Sequence, residues 1–91
     1  MKKVNVCNGF IDESHIGLTM LDLSRYQHID KINKKSIYLE YNELETLPAT
    51  VFRGFDSVEK LYLQHNLLSS LSVGVFDYLP NLQCVSLHNN L

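Results

Sequence analysis

Ile37-Tyr38-Leu39-Glu40-Tyr41-Asn42-Glu43-Leu44-Glu45-Thr46-Leu47 returns 24 residues later as Leu61-Tyr62-Leu63-Gln64-His65-Asn66-Leu67-Leu68-Ser69-Ser70-Leu71. It begins a third time, after the same interval, as Val85-Ser86-Leu87-His88-Asn89-Asn90-Leu91. The spacer repeats too: Phe52, Phe55 and Val58 come back as Phe76, Leu79 and Leu82. A fixed period of this size marks stacked supersecondary units, none of which can bury its apolar face alone. The expected fold is therefore an α/β-type repeat solenoid. An open sheet face of a few coils offers a surface for binding rather than an enclosed pocket for catalysis.

Each repeated position has a physical reason. Ile37 and Leu39 alternate with Ser36, Tyr38 and Glu40, the period-2 pattern of a short strand with one buried face. Leu61 with Leu63, and Val85 with Leu87, do the same. Parallel strands about 4.8 Å apart would bring these pairs into register. Asn42, Asn66 and Asn90 stand where the chain turns off the strand. A side-chain amide there can bond backbone groups that the turn leaves unpaired, between neighbouring coils. Leu44, Leu47, Leu68 and Leu71 fill the interior after the turn. Phe52 and Phe76 are expected to form a ladder on the side opposite the strands.

The unit reads L-x-x-L-x-L-x-x-N-x-L-x-x-L, followed by F-x-x-F/L-x-x-V/L. Over residues 34–91 it resembles the leucine-rich repeat family in its 24-residue form, common in Toll-like receptors, variable lymphocyte receptors and Slit-type proteins. The spacers Leu47-Pro48-Ala49-Thr50-Val51-Phe52-Arg53-Gly54-Phe55 and Leu71-Ser72-Val73-Gly74-Val75-Phe76-Asp77-Tyr78-Leu79 look closest to the variable lymphocyte receptor and Toll-type ones. The resemblance implies a right-handed coil with short parallel strands on a concave face and a mostly irregular convex side. It also implies a protein or glycan ligand contacted by the outward strand side chains, and an extracellular or cell-surface, immune-type setting. Carried over by position, the contacts are Ser36, Tyr38, Glu40 and Tyr41, then Lys60, Tyr62, Gln64 and His65, then Cys84, Ser86, His88 and Asn89. Asp22, Ser24 and Arg25 would extend the row. Tyr38 and Tyr62 would lie side by side, with Tyr41 and His65 as a second ladder. Tyrosine supplies rigid amphipathic contact area at low entropic cost. The plainer account is that Tyr is a good strand residue whose neighbours pair across the sheet.

The first 33 residues break the period and are expected to form a separate cap-like segment ahead of the repeats at 34–91. Met20-Leu21-Asp22-Leu23-Ser24 has a strand-like look, as does Val4-Asn5-Val6-Cys7, and turn formers lie between them. The expectation is a hairpin-like cap over residues 4–23, with Ile29-Asp30-Lys31-Ile32-Asn33 leading into the first full coil. Amino-terminal caps of secreted relatives carry paired cysteines, whereas only Cys7 stands here. At the other end no C-terminal cap follows. The strand at Val85–Leu87 would be a sheet edge with unpaired backbone groups. Two accounts of this end stay open: the chain is a piece of a longer receptor, or the edge pairs with a second copy in a homodimer.

Composition narrows the function classes. Ninety-one residues make one small domain. The net charge of −2 gives no reason to expect nucleic acid as a partner. No apolar run approaches the roughly 20 residues that span a bilayer. Met1-Lys2-Lys3 resembles a signal-peptide start, but no apolar stretch follows. The chain is then either a mature form behind a new Met or one that is never secreted. Two cysteines, Cys7 and Cys84, form neither a disulfide framework nor a zinc spacing. They are expected to lie too far apart for a bond between them. No Asn-X-Ser/Thr sequon occurs. These absences fit the alternative of an intracellular, cytoplasmic scaffold or effector. His65 and His88 would come close across adjacent strands with Glu40 nearby, but zinc requires four tetrahedral ligands. No cofactor motif, nucleophile elbow or phosphate loop is present, so neither catalysis nor a cofactor or metal is expected.

Overall fold

The computed structural model describes residues 9–91. The Val4–Cys7 run, and with it the relation of Cys7 to Cys84, lies outside the described residues. Four three-residue strands, β1 (Phe10–Asp12), β2 (Ser36–Tyr38), β3 (Lys60–Tyr62) and β4 (Cys84–Ser86), form one sheet in the order β1-β2-β3-β4. All three pairings are parallel, with Ile11 opposite Ile37, Ile37 opposite Leu61, and Leu61 opposite Val85. The middle residue of each strand faces the core: Ile11, Ile37 and Leu61 are buried and Val85 is half-buried. Backbone pairing runs on past the strands, as in Leu39 N–H to Tyr62 O at 2.9 Å and Tyr41 N–H to Gln64 O at 3.1 Å. The same bonds recur in the coils on either side, from Glu13 to Tyr38 and from Leu63 to Ser86. This parallel stacking is what the 24-residue period predicts, and it fits a repeat solenoid.

The amino-terminal segment differs from expectation. Met20–Ser24 is not a strand, and the described part of residues 4–23 is not a hairpin. The strand of this segment is β1, which runs parallel to β2 and begins a further coil. Two sequence features hide that coil. Phe10 pairs with Ser36, 26 residues on, whereas Ser36 pairs with Lys60 at the regular interval of 24. In addition, Glu13 and Ile16 stand where Leu39 and Asn42 stand in the next coil. Glu13 is nonetheless buried, 7% exposed. Its Oε2 accepts from the Tyr26 hydroxyl at 3.0 Å and pairs with the Arg25 guanidinium, which lies over the Tyr26 ring. A buried carboxylate is tolerated only when paired and hydrogen-bonded in this way.

Leu39, Leu44, Phe52, Phe55, Val58, Leu61 and Leu63 are fully buried between the sheet and the far side of the coils. Burying one such large side chain contributes about 1.5–3 kcal/mol. The two phenylalanines of the expected ladder are not equivalent. Phe52 is fully buried, whereas Phe76 is half-buried at the margin of the core. Tyr26 takes part from the first coil, edge-on to Phe55 at 6.4 Å. The far side is built of turns, a four-residue helix α1 (His28–Lys31) and a 3-10 turn (Val75–Tyr78). Gly74 enters that 3-10 turn at φ 76°, a left-handed conformation open to glycine at little cost.

The asparagines tie coil to coil. Asn66 Nδ2 donates to Leu39 O at 3.0 Å and Leu63 O at 3.1 Å, and its Oδ1 accepts from Leu44 N–H at 3.1 Å. Asn90 repeats the set one coil on, with Leu63 O, Leu87 O and Leu68 N–H. Asn42 bonds Glu13 O and Leu39 O, and its Oδ1 accepts from both Ile16 N–H and Leu18 N–H. The Leu18 bond matches those from Leu44 to Asn66 and from Leu68 to Asn90, whereas the Ile16 bond is additional and serves the position where isoleucine stands in place of asparagine.

Candidate functional site

The sheet side chains that point away from the core form columns, one residue from each coil. In-register parallel pairing requires this, because residues at the same strand position lie one strand spacing apart. The first column contains Asp12, Tyr38, Tyr62 and Ser86. Tyr38 and Tyr62 stack with ring centroids 4.8 Å apart and planes 3° from parallel. Phe10 closes on Tyr38 edge-to-face at 5.8 Å. Asp12 accepts from both the hydroxyl and the backbone N–H of Ser14, at 2.7 and 3.0 Å. These bonds, the hydroxyl first, hold its carboxyl below the ordinary aspartate range.

The second column lies at the turn off the sheet and contains His15, Tyr41, His65 and Asn89. All four have left-handed backbone, with φ between 57° and 59°. This conformation is uncommon for residues other than glycine. In it, successive side chains project in the same direction and their rings stack. His15 lies on Tyr41 at 4.5 Å and Tyr41 on His65 at 4.2 Å, both nearly parallel. Asn89 Nδ2 lies 3.1 Å from His65 Nε2, and the His88 ring stands edge-on to His65 at 5.4 Å.

Between the two columns lie Glu40 and Gln64, both half-buried. Lys60 and Cys84 lie at the start of their strands, exposed, with Ser36 half-buried beside them. Cys84 has a free thiol. The structure thus brings Tyr38 to Tyr62, Tyr41 to His65, and His65 to both His88 and Asn89. It does not bring Asp22, Ser24 and Arg25 into the row. Asp22 and Ser24 instead line a shallow groove with Met20, Leu23, Lys31 and Pro48. Their places on the sheet face are taken by Phe10, Asp12 and His15, which a search at a spacing of 26 would have found. His15, which shows no partner in the sequence, stacks on Tyr41.

Among the described residues, no three His, Cys, Asp or Glu side chains come together as metal ligands would. No described helix is long and apolar enough to cross a membrane. Compared with known families, residues 32–91 match the one described as Leucine rich repeat. No curated protein matches the chain.

Proposed function

The chain belongs to the leucine-rich repeat family, whose repeats generally mediate protein binding without catalysis, and from that premise we propose recognition of a protein or glycan ligand through the sheet face. That face is taken to be the concave one. The observation that carries the reading is the pair of stacked columns, Tyr38–Tyr62 and His15–Tyr41–His65, on a surface where Tyr41 remains 48% exposed. Flat aromatic side chains held in place by each other lose little entropy on contact with a partner. The proposed contacts are Tyr38, Glu40, Tyr41, Lys60, Tyr62, Gln64, His65, Ser86, His88 and Asn89. The proposal extends to an immune-receptor-like role at the cell surface or outside the cell, on the likeness of the two spacers.

Selection of binders from a displayed protein library, alongside a glycan array, tests the reading. Binders of the unaltered chain should be lost when Tyr38→Ala and Tyr62→Ala are combined, with the circular dichroism unchanged. Binders that survive the double change would show that recognition lies elsewhere. A second reading, self-association, rests on β4 being an edge strand with unpaired backbone groups. It requires a dimer that grows with concentration in sedimentation. A monomer at high concentration would remove it.

A further inference from the structure

We propose that the sheet face takes a protein segment presenting an arginine, whose guanidinium donates to Glu40 and Gln64 together. The inference rests on the sheet face being the binding surface and names the partner's chemistry. Glu40 and Gln64 hold the same position in neighbouring coils, and their strands are joined beside them by the Tyr41 N–H to Gln64 O bond at 3.1 Å. Glu40 Oε1 and Gln64 Oε1 are both out of reach of solvent, and no described residue donates to either. A buried acceptor without a donor costs about 1–3 kcal/mol, and more when it is charged. Both side chains are only half-buried, so turning outward brings these oxygens to the surface, and a ligand with donors for both is then favoured.

Among the described residues, several cations are engaged elsewhere or distant. Arg25 pairs with Glu13, Lys35 with Glu59, and Lys31 donates to Arg53 O. Lys60 lies at the far end of β3, four residues and about 13 Å along the strand from Gln64. A ligand that supplies the charge completes the site. It must also supply at least two donors, to acceptors about one strand spacing, roughly 4.8 Å, apart. It must enter between two columns of flat rings. A guanidinium meets all three needs: it is planar, carries five N–H donors in a fixed fork, is always charged, and packs well against aromatic rings. An ammonium is a compact, strongly hydrated point charge that meets them less well. Asp12, held ionised by Ser14 in the neighbouring coil, adds to the attraction for a cation.

The test is a titration of the isotope-labelled chain, followed by its amide resonances, with blocked heptaglycine peptides carrying one central arginine, lysine or citrulline. Citrulline keeps the shape and most donors of arginine but not its charge. Saturable shifts at the amides of Tyr38–Tyr41 and Tyr62–His65 are expected with the arginine peptide, with citrulline about tenfold weaker, or 1.4 kcal/mol. Glu40→Gln, nearly isosteric, should bring arginine binding down to the citrulline level. Gln64→Glu should tighten it several-fold, a gain that no purely structural role for Gln64 would produce. Equal binding of arginine and citrulline, or Glu40→Gln without effect, would overturn the proposal while leaving the sheet face as the binding surface. Shifts confined to another surface would likewise overturn the guanidinium assignment. No shift at all with the arginine peptide would overturn the guanidinium assignment alone, since the library selection tests the face independently.

Discussion

Asn66 shows how much one side chain can carry in a stack of coils. It is 4% exposed, and its amide serves four main-chain groups on two coils, Leu39 O, Leu63 O, Gln64 O and Leu44 N–H. Removing it leaves Leu44 N–H buried without that acceptor, while Leu39 O and Leu63 O each fall back on one remaining donor, Asn42 and Asn90, so the cost exceeds that of one lost hydrogen bond. Asn66→Ala should lower unfolding free energy by about 3 kcal/mol in urea titrations. Asn90 makes matching bonds but is only half-buried, so water can replace its amide. Asn90→Ala should therefore cost about 1 kcal/mol. Equal costs at the two sites would mean that burial does not set the value of the ladder. Glu13 makes a complementary point. An acidic residue occupies a core position because Tyr26 and Arg25 reach it, and neither neighbour can be assigned to it from the sequence alone.

At the scale of the element, the turn off the sheet matters more than the strand. Three strand residues carry few bonds, whereas four successive turns hold His15, Tyr41, His65 and Asn89 in the left-handed region. For an L-residue with a Cβ this conformation costs about 1–2 kcal/mol, offset in part by stacking worth about 0.5–1.5 kcal/mol per aromatic pair. The two terms separate by substitution. His65→Gly loses the stack but relieves the backbone. His65→Val loses the stack and places a β-branched residue at φ 59°, where it is least tolerated. Thermal unfolding should therefore find His65→Val less stable than His65→Gly by at least about 1 kcal/mol, despite the entropic cost of glycine. The reverse order would mean that the turn relaxes and the strain is not real. The same geometry bears on the proposed binding face, because it aligns the rings that border Glu40 and Gln64.

For the whole molecule, stability is close to a sum of coils and of the interfaces between neighbours. Burial follows that rule: the side chains at 0% exposure run from Ile37 to Leu63, in coils covered on both sides. Phe52→Ala should cost about 3–5 kcal/mol, as for a buried aromatic leaving a cavity. Phe76→Ala, at a half-buried site, should cost about half of that. Denaturation midpoints of the two variants check the gradient. A flat profile would mean that the coils unfold as one indivisible unit rather than as neighbours with unequal support.

The sequence by itself determined the stacking. Ile37, Leu61 and Val85 recur at one interval, and a strand that buries alternate residues can pair in only one register without exposing its core face. That register in turn puts Tyr38 beside Tyr62. The sequence did not reveal the first coil, because an interval of 26 with Glu13 and Ile16 at the diagnostic positions does not match the pattern of the others. Leu21 and Leu23 suggested a strand because apolar alternation marks burial on one side, and in the structure they are buried without being in the sheet. Tertiary structure alone decided that His15 stacks on Tyr41, that Arg25 and Tyr26 satisfy Glu13, and that Glu40 and Gln64 keep acceptor oxygens without donors among the described residues. Periodicity specifies which residues face inward. Which side chains then meet depends on contacts between coils, and those contacts join residues far apart in the chain.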